Sequence, residues 1–143
     1  MFGHGSRLVF LPVVAYVALI FLLSSIPKLN TPGPDFFHKD KLFHFFEYVV
    51  LGVLLCRGIG RELGPLRFAN FGFLVAVAAT VGALDEVYQS YIPGREMNIY
   101  DWCADAAGAS SGVGLFAFVR LLRTRRASHD EQQALGSGDR EQT

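Results

Sequence analysis

A run of 19 residues without a charge lies near the start of the chain and restricts what it can fold into. Residues 8–26 read LVFLPVVAYVALIFLLSSI. A helix rises about 1.5 Å per residue, so this run can cover the roughly 30 Å hydrocarbon core of a bilayer. Pro12 falls in the first turns, where a helix tolerates proline best. The run is long for a signal peptide and no A-x-A-like cleavage site follows it, so we expect an uncleaved membrane helix.

Three further apolar segments follow, at residues 42–56, 68–84 and 102–122. Each is short or interrupted by polar residues, and alone each would suit a buried helix of a soluble protein. The whole chain, however, is 51% hydrophobic and only 18% charged, which is oilier than an ordinary soluble domain. We therefore predict an all-α, polytopic membrane protein, a bundle of four transmembrane helices, with residues 1–123 as its single domain.

The end of the chain differs sharply in composition. Residues 124–143 read TRRASHDEQQALGSGDREQT and contain almost no large apolar side chain. Such a segment cannot bury enough apolar surface to offset the entropy lost on ordering it. Residues 124–143 are therefore predicted to be a disordered polar tail.

The basic residues predict how the helices cross the membrane. With four spans, the N-terminus, the 57–67 loop and the tail share one side, and the Pro-rich 27–40 loop and the 89–101 connection share the other. Eight Lys or Arg residues lie near the membrane on the first side and four on the second. The positive-inside rule then places both termini in the cytoplasm. The eight are Arg7, Arg57, Arg61, Arg67, Arg120, Arg123, Arg125 and Arg126, and the four are Lys28, Lys39, Lys41 and Arg95.

Ten polar residues collect at the outer ends of the second, third and fourth helices and on the turn that joins the last two. The spacing i, i+4 recurs in all three helices, so within each helix polar residues share one face. We expect these faces to meet at one level, because polar residues inside membrane helices face one another rather than lipid. The ten are Asp40, Lys41, His44, Tyr48, Asp85, Glu86, Gln89, Arg95, Asp101 and Asp105.

These residue types suit chemistry on a phosphate-bearing lipid. Arg95 and Lys41 could hold phosphate oxygens, Arg95 through its planar fork. Proton transfer would fall to the candidate catalytic residues, which are His44, Asp85 and Glu86. The candidate substrate-binding residues are Asp40, Lys41, Tyr48, Gln89, Arg95, Asp101 and Asp105.

Charge compensation leaves two possibilities open. Asp85 and Glu86 place two like charges side by side at a low-dielectric boundary, and Arg95, Lys41 and His44 are the expected compensating cations. The acidic residues could instead bind a divalent cation that bridges to phosphate. No Cys/His cluster of the structural-zinc type is present, and the sequence assigns no particular metal ligand. The formal net charge of zero favours no nucleic-acid partner.

Simpler structural roles would account for some of these residues one at a time. Asp40 and Asp101 could cap the second and fourth helices. The whole set could form a structural ion-pair network. Ala104, Gly108 and Gly112 recur every four residues, a spacing that lets helix backbones approach closely, and for these three we expect a packing role alone.

The pattern resembles that of the VanZ-like family of small bacterial membrane proteins. The resemblance runs from residue 40 to 112, about half the chain. It rests on Asp40-Lys41-x-x-His44 with Tyr48, on Asp85-Glu86-x-x-Gln89-x-x-x-Pro93-Gly94-Arg95, and on Asp101-x-x-x-Asp105-x-x-Gly108-x-x-x-Gly112. One departure is Asp105, where the family commonly has Asn. An amide both donates and accepts hydrogen bonds, whereas an ionised carboxylate only accepts.

The resemblance implies a multi-pass protein of the bacterial plasma membrane, in a family whose namesake is linked to resistance to the glycopeptide antibiotic teicoplanin. It is compatible with an enzyme that hydrolyses or transfers the headgroup of a phospholipid or polyprenyl phosphate at the outer leaflet. Its partner would then be a membrane lipid or a lipid-linked cell-envelope precursor. Two other functions stay open: a non-catalytic binder of lipid, precursor or antibiotic, and a small proton-coupled transporter. No residue pattern indicates an oligomeric state.

Overall fold

The computed structural model describes residues 4–27, 37–59 and 68–138. Within these ranges the chain forms four helices and no strand, which confirms the predicted all-α class. The helices are α1 (His4–Ser24), α2 (Phe37–Gly58), α3 (Phe68–Gln89) and α4 (Ile99–Gly138). The ends of α1 and α3 lie together with the beginnings of α2 and α4, because side chains of Ser24 and Asp85, and of Lys41 and Asp101, are hydrogen-bonded.

Two of the helices are long and apolar enough to cross a membrane: Ala69–Gln89 within α3 and Ile99–Ser128 within α4. The apolar part of α1, Phe10–Ser24, is shorter, and α2 carries several charged residues. Hydropathy therefore supports a membrane protein without confirming four spans. Many large apolar side chains also face outward, including Leu22, Phe43 and Phe46, which are 65%, 74% and 62% exposed. Large exposed apolar surfaces of this kind mark membrane or protein contact sites.

Helices α2 and α4 pack against each other backbone to backbone. A Cβ atom at Gly108 would collide with the carbonyl oxygen of Phe45, and one at Gly112 would collide with that of Val49. From the other side, a Cβ at Gly52 would lie 2.5 Å from the carbonyl oxygen of Ala109. The close approach predicted from the Gly108-x-x-x-Gly112 spacing is confirmed, and it also depends on Gly52.

The apolar core fills the space beside this pair. Leu51 and Leu55 of α2, Val113 of α4, Leu74 of α3 and Ile20 of α1 are all buried. Helix α1 is held to its neighbours by few polar contacts at this level. The Tyr16 hydroxyl donates to the carbonyl oxygen of Glu47 over 3.1 Å, and the hydroxyls of Ser25 and Tyr88 lie 2.8 Å apart. The closest helix contact of the bundle is therefore the one between α2 and α4.

The connection between α3 and α4 is a tight turn that the sequence predicts from Pro93-Gly94. Gly94 has φ 77°, in the left-handed region that glycine adopts without strain. Asn98 ends the turn and caps α4, since its Oδ1 accepts the backbone N–H of Tyr100 over 3.0 Å. The alternative role of Asp101 as the cap is therefore wrong, and Asp101 lies inside the first turn of α4. Asp40 likewise lies within the first turn of α2.

Helix α4 continues far beyond the apolar segment and reaches Gly138. It thereby includes residues 124–138, for which the sequence predicts disorder. Every residue from 118 to 128 is exposed, so packing does not hold residues 118–128 in place. The Arg and Ala residues of this stretch have high helix propensity, which explains a helix without packing contacts. The domain boundary after residue 123 stays a prediction.

Candidate functional site

All buried polar side chains of the described residues lie at one end of the bundle, where α1 and α3 end and α2 and α4 begin. We call this set the polar cluster. Each member is at most 6% exposed. Burying so many polar groups is costly unless they are paired or bind a ligand. The polar cluster consists of Ser24, His44, Asp85, Glu86, Gln89, Asp101 and Asp105.

His44 and Asp105 form a buried pair across the α2–α4 contact. His44 Nδ1 lies 2.9 Å from Asp105 Oδ1. An ionised carboxylate only accepts hydrogen bonds, so Nδ1 donates and Nε2 remains for another partner. Gly82 of α3 makes room for this carboxylate, since a Cβ there would lie 2.8 Å from Asp105 Oδ2. The aspartate at this position thus serves as an acceptor that fixes the orientation of the imidazole.

Asp85 makes its contacts toward α1. Its Oδ2 accepts hydrogen bonds from Ser24 Oγ at 2.9 Å and from Gln89 Nε2 at 2.7 Å. Gln89 Nε2 also lies 3.2 Å from Ser24 Oγ. The three side chains therefore close a triangle that joins the end of α1 to the end of α3. Ser24 was missed in the sequence because it sits inside the first apolar run.

Glu86 and Asp101 each accept a hydrogen bond through one carboxylate oxygen. Glu86 Oε2 accepts the backbone N–H of Asn98 over 2.8 Å, which attaches the end of α3 to the start of α4. Asp101 Oδ1 accepts from Lys41 Nζ over 2.6 Å, and this ammonium also lies 5.7 Å from the centre of the Tyr100 ring. Lys41 is thus an ion-pair partner of Asp101 across α2 and α4.

Arg95 does not pair with Asp85 or Glu86, contrary to the sequence-based expectation. Its Nε donates to the carbonyl oxygen of Ile26 over 3.1 Å, and its Nη2 lies 3.5 Å from that of Leu23. These carbonyls lie at and just beyond the end of α1, where the Leu23 carbonyl also accepts the N–H of Ile26 over 3.1 Å. A guanidinium is a suitable donor for the carbonyls at a helix end. Lys41 and His44 compensate Asp101 and Asp105 instead. The adjacent carboxylates of α3 are therefore stabilised by hydrogen bonds rather than by an ion pair in the described part of the chain.

Two cavities border the polar cluster. The first, which we call the mouth cavity, has a volume of about 510 Å³ and is lined by polar residues of α2, the 94–98 turn and α4. The second, the side cavity, has a volume of about 370 Å³ and lies between the end of α1 and the first turns of α2. Leu23, Ile26 and Phe43 give it apolar walls, and His44 lines it as well. Asp40, Gln89 and Arg95 line both cavities.

The other predicted positions lie deeper or in different surroundings. Tyr48 is completely buried, and its hydroxyl has no hydrogen-bond partner within the described ranges. It lines neither cavity. Glu47, to which the sequence assigns no site role, lines the side cavity. Asn98 was also missed, although a helix-capping residue just before an apolar helix is a recognisable signal.

Three members of the polar cluster also form a group with the chemistry of metal ligands. His44, Glu86 and Asp101 each offer one ligand atom, and these atoms lie within 4.8 Å of one another. One imidazole and two carboxylates are common ligands of divalent cations.

Comparison with known proteins agrees with this picture at the level of family. The model of the VanZ/LLP1 family matches residues 7–120, which cover part or all of each of the four helices and every residue of the polar cluster. No curated protein and no solved structure matches the chain significantly. Because the family match covers most of the sequence, the chain belongs to the VanZ/LLP1 family.

Proposed function

We propose that the protein is a four-span membrane enzyme that acts on the phosphate-bearing headgroup of a lipid or lipid-linked envelope precursor at the outer leaflet. The observation that carries this proposal is the junction of the two cavities. A polar chamber and a partly apolar one share Asp40, Gln89 and Arg95 at their boundary. An amphiphile fits this arrangement, with its headgroup in the mouth cavity and the start of its chain in the side cavity.

The proposed orientation rests on charge. Arg57, Arg120 and Arg123 surround a separate cavity between α2 and α4 at the opposite end of the bundle from the polar cluster. The positive-inside rule assigns that end to the cytoplasm and the polar cluster to the outer side. Four crossings then place both termini inside the cell, with α2 crossing because its charged residues lie near its outer end.

Arg95 is the proposed phosphate anchor. A guanidinium has five N–H donors, and the two bonds to α1 carbonyls occupy one at Nε and one at Nη2. The remaining donors lie at the boundary between the cavities, where they can contact phosphate oxygens. Because the α1 carbonyls already fix the side chain, little entropy is lost when it binds a ligand.

His44 is the proposed centre of the chemistry. Asp105 holds its Nδ1 and leaves Nε2 available, and His44 itself lines the side cavity. In hydrolysis, a water oxygen attacks phosphorus, and the phosphorus–oxygen bond to the leaving group breaks. The proton lost by the water goes to the leaving oxygen. In headgroup transfer, the hydroxyl of a second substrate takes the place of water. In this proposal His44 takes the proton from the attacking oxygen, and the carboxylate of Glu86, which lies beside His44 but lines neither cavity, assists it.

Asp85 has a supporting role in this proposal. It is 1% exposed, and its Oδ2 is occupied by Ser24 and Gln89. It holds Gln89 at the boundary of the two cavities and α1 beside the side cavity. Asp101, which is held by Lys41, lines the mouth cavity on the α4 side.

The test combines lipid analysis with a purified-protein assay. Lipid extracts are compared from cells that lack the protein, contain the wild type, or contain Glu86→Gln. Purified wild type, His44→Gln and Ser111→Ala are then incubated with fluorescent phospholipids and polyprenyl phosphates, and products are separated by chromatography. Ser111 is an exposed residue of α4 whose hydroxyl bonds to its own helix, so this variant is the matched control.

We expect product from the wild type and from Ser111→Ala, and at least about 100-fold less from His44→Gln. An unchanged lipid profile in all cells, together with no product from any substrate, would overturn the enzyme. Saturable binding of labelled lipid without product would instead support the non-catalytic binder.

A further inference from the structure

We infer that His44, Glu86 and Asp101 bind one divalent cation, through His44 Nε2 and one carboxylate oxygen from each acid. The inference deepens the proposed function, because it states how that site would activate the attacking oxygen. A cation bound at these three residues contacts both cavities, since His44 lines the side cavity and Asp101 the mouth cavity.

The first support is that each of the three ligand side chains is hydrogen-bonded to the protein through its other polar atom. Asp105 binds His44 at Nδ1, the N–H of Asn98 binds Glu86 at Oε2, and Lys41 binds Asp101 at Oδ1. In each case one atom is fixed by the protein and the other coordinating atom remains. Metal-binding histidines almost always donate their second N–H to a carboxylate or carbonyl, and ligating carboxylates are similarly held by hydrogen bonds. The same arrangement occurs here in three residues from three helices.

The second support is an unpaired oxygen inside the cluster. Glu86 is 3% exposed, and its Oε1 has no hydrogen-bond partner among the described residues. A buried carboxylate oxygen without a partner carries a desolvation cost of about 1–3 kcal/mol or more. A coordinated cation would offset this cost.

The third support is the charge of the surroundings. Four carboxylates at most 6% exposed lie within this end of the bundle, on Asp85, Glu86, Asp101 and Asp105. Lys41 pairs with Asp101, while Arg95 donates to backbone carbonyls of α1. Even with His44 protonated beside Asp105, the four carboxyl groups outnumber the two basic side chains bonded to them among the described residues. Buried charges are normally paired or coordinate metals.

The spacing is close to that of a coordination sphere. Ligand atoms about 2.0–2.2 Å from one ion lie up to about 4.4 Å apart. One ligand atom from each of the three residues lies within 4.8 Å of the others, so side-chain adjustment would bring all three to one ion. One nitrogen and two oxygens favour Mn²⁺ or Zn²⁺ over Ca²⁺, which prefers six to eight oxygens. Three protein ligands leave positions for water and a phosphate oxygen.

The experiment measures metal binding to the purified full chain without relying on activity. Protein stripped with chelator is titrated with Mn²⁺, and free Mn²⁺ is measured by electron paramagnetic resonance. Zn²⁺, Mg²⁺ and Ca²⁺ are then tested as competitors. Glu86→Gln and Asp101→Asn remove one ligand charge each. Ser111→Ala is the control, since Ser111 is exposed, lines neither cavity and lies outside the three-residue group.

We expect one Mn²⁺ per chain, displaced by Zn²⁺ more readily than by Ca²⁺. Binding should be at least tenfold weaker in Glu86→Gln and in Asp101→Asn, and within about twofold of wild type in Ser111→Ala. Bound Mn²⁺ in the wild type should also show coupling to one imidazole ¹⁴N, a readout that does not depend on whether a variant folds.

Two results would overturn the inference: no saturable binding of Mn²⁺ or Zn²⁺ by the wild type, or binding without imidazole coupling that both ligand variants retain. Neither result would remove the proposed enzyme, in which His44 would then act directly as the base. Conversely, metal binding without any lipid turnover would leave the cation site in place and remove the proposed reaction.

Discussion

Ser24 donates a hydrogen bond of 2.9 Å to Asp85, and this bond attaches the end of α1 to the acidic end of α3. Replacing Ser24 by alanine leaves Asp85 Oδ2 with Gln89 alone. We expect Ser24→Ala to lower the free energy of unfolding by about 1–2 kcal/mol. Ser111→Ala, at an exposed site, should change it by less than about 0.5 kcal/mol. Thermal unfolding in detergent compares the two, and equal stabilities would show that the bond contributes nothing.

The glycine contact between α2 and α4 predicts a large difference between two substitutions in one helix. Gly112→Ala forces a Cβ against the carbonyl oxygen of Val49, whereas a Cβ at Gly114 meets nothing within 4 Å. Gly112→Ala should therefore destabilise the protein by about 1–3 kcal/mol. Gly114→Ala should be neutral, or stabilising by up to about 1 kcal/mol through helix propensity. The measurement is the melting temperature of each purified variant. A Gly112→Ala variant as stable as the wild type would contradict the backbone contact.

Asp105 should tolerate an amide better than an apolar side chain. An asparagine oxygen can still accept the hydrogen bond from His44 Nδ1, whereas leucine leaves that N–H buried and unpaired. We expect Asp105→Asn to retain lipid turnover within about tenfold of wild type. Asp105→Leu should reduce it by at least about 100-fold, since His44 loses its orientation. Turnover with the substrate found in the lipid assay is the measurement. Equal rates in both variants would remove Asp105 as an orienting residue.

Arg95 should affect substrate binding more than the rate of the bound complex. If its guanidinium holds phosphate equally in the ground state and the transition state, Arg95→Gln raises KM by at least about tenfold and changes kcat little. Arg95→Lys should be intermediate, because an ammonium cannot make two parallel bonds. Ser111→Ala, at an exposed site that lines neither cavity, is the control. A fall in kcat alone in Arg95→Gln would assign this residue to the chemical step.

The proposed orientation predicts opposite labelling of two exposed positions. In a background without Cys56 and Cys103, Glu96→Cys should react with a membrane-impermeant maleimide added to intact cells. Ser128→Cys, on the exposed part of α4, should react only after the cells are opened. The reverse pattern would place the polar cluster in the cytoplasm and exclude a substrate of the outer leaflet.

Much of the fold could be predicted from regular residue spacings in the sequence. The i, i+4 repeats predict which residues of α2, α3 and α4 share a face, and the structure brings His44 of α2 to Asp105 of α4 accordingly. Gly108 and Gly112 predict the close helix contact that the structure contains. These predictions succeed because helical periodicity is a local property of the chain.

The partners of Arg95 and Asp85 could not be predicted in the same way. Both contact the end of α1, which approaches the site from far away in the sequence. The partners of Arg95 are also backbone carbonyls, which carry no residue-specific signal. A count of charges pairs Arg95 with the nearest carboxylates, whereas the structure uses it to complete the end of a helix. Ser24 was hidden for a similar reason, since a single hydroxyl barely lowers the hydropathy of a long apolar run.

The glycine seam between α2 and α4 also determines where this scaffold has freedom to change. Gly52, Gly108 and Gly112 form this seam, and a Cβ added at any of them would collide with the backbone of the other helix. These three positions therefore tolerate little substitution. His44 and Asp105 face each other across that seam, so the distance between them is set by the backbone contact of α2 and α4. Helix α1 contributes Leu23 and Ile26 to the side cavity through ordinary side-chain surfaces. Adaptation or redesign toward a different lipid therefore has its natural starting point on α1, where the wall of the cavity can be reshaped while the reactive pair stays in place.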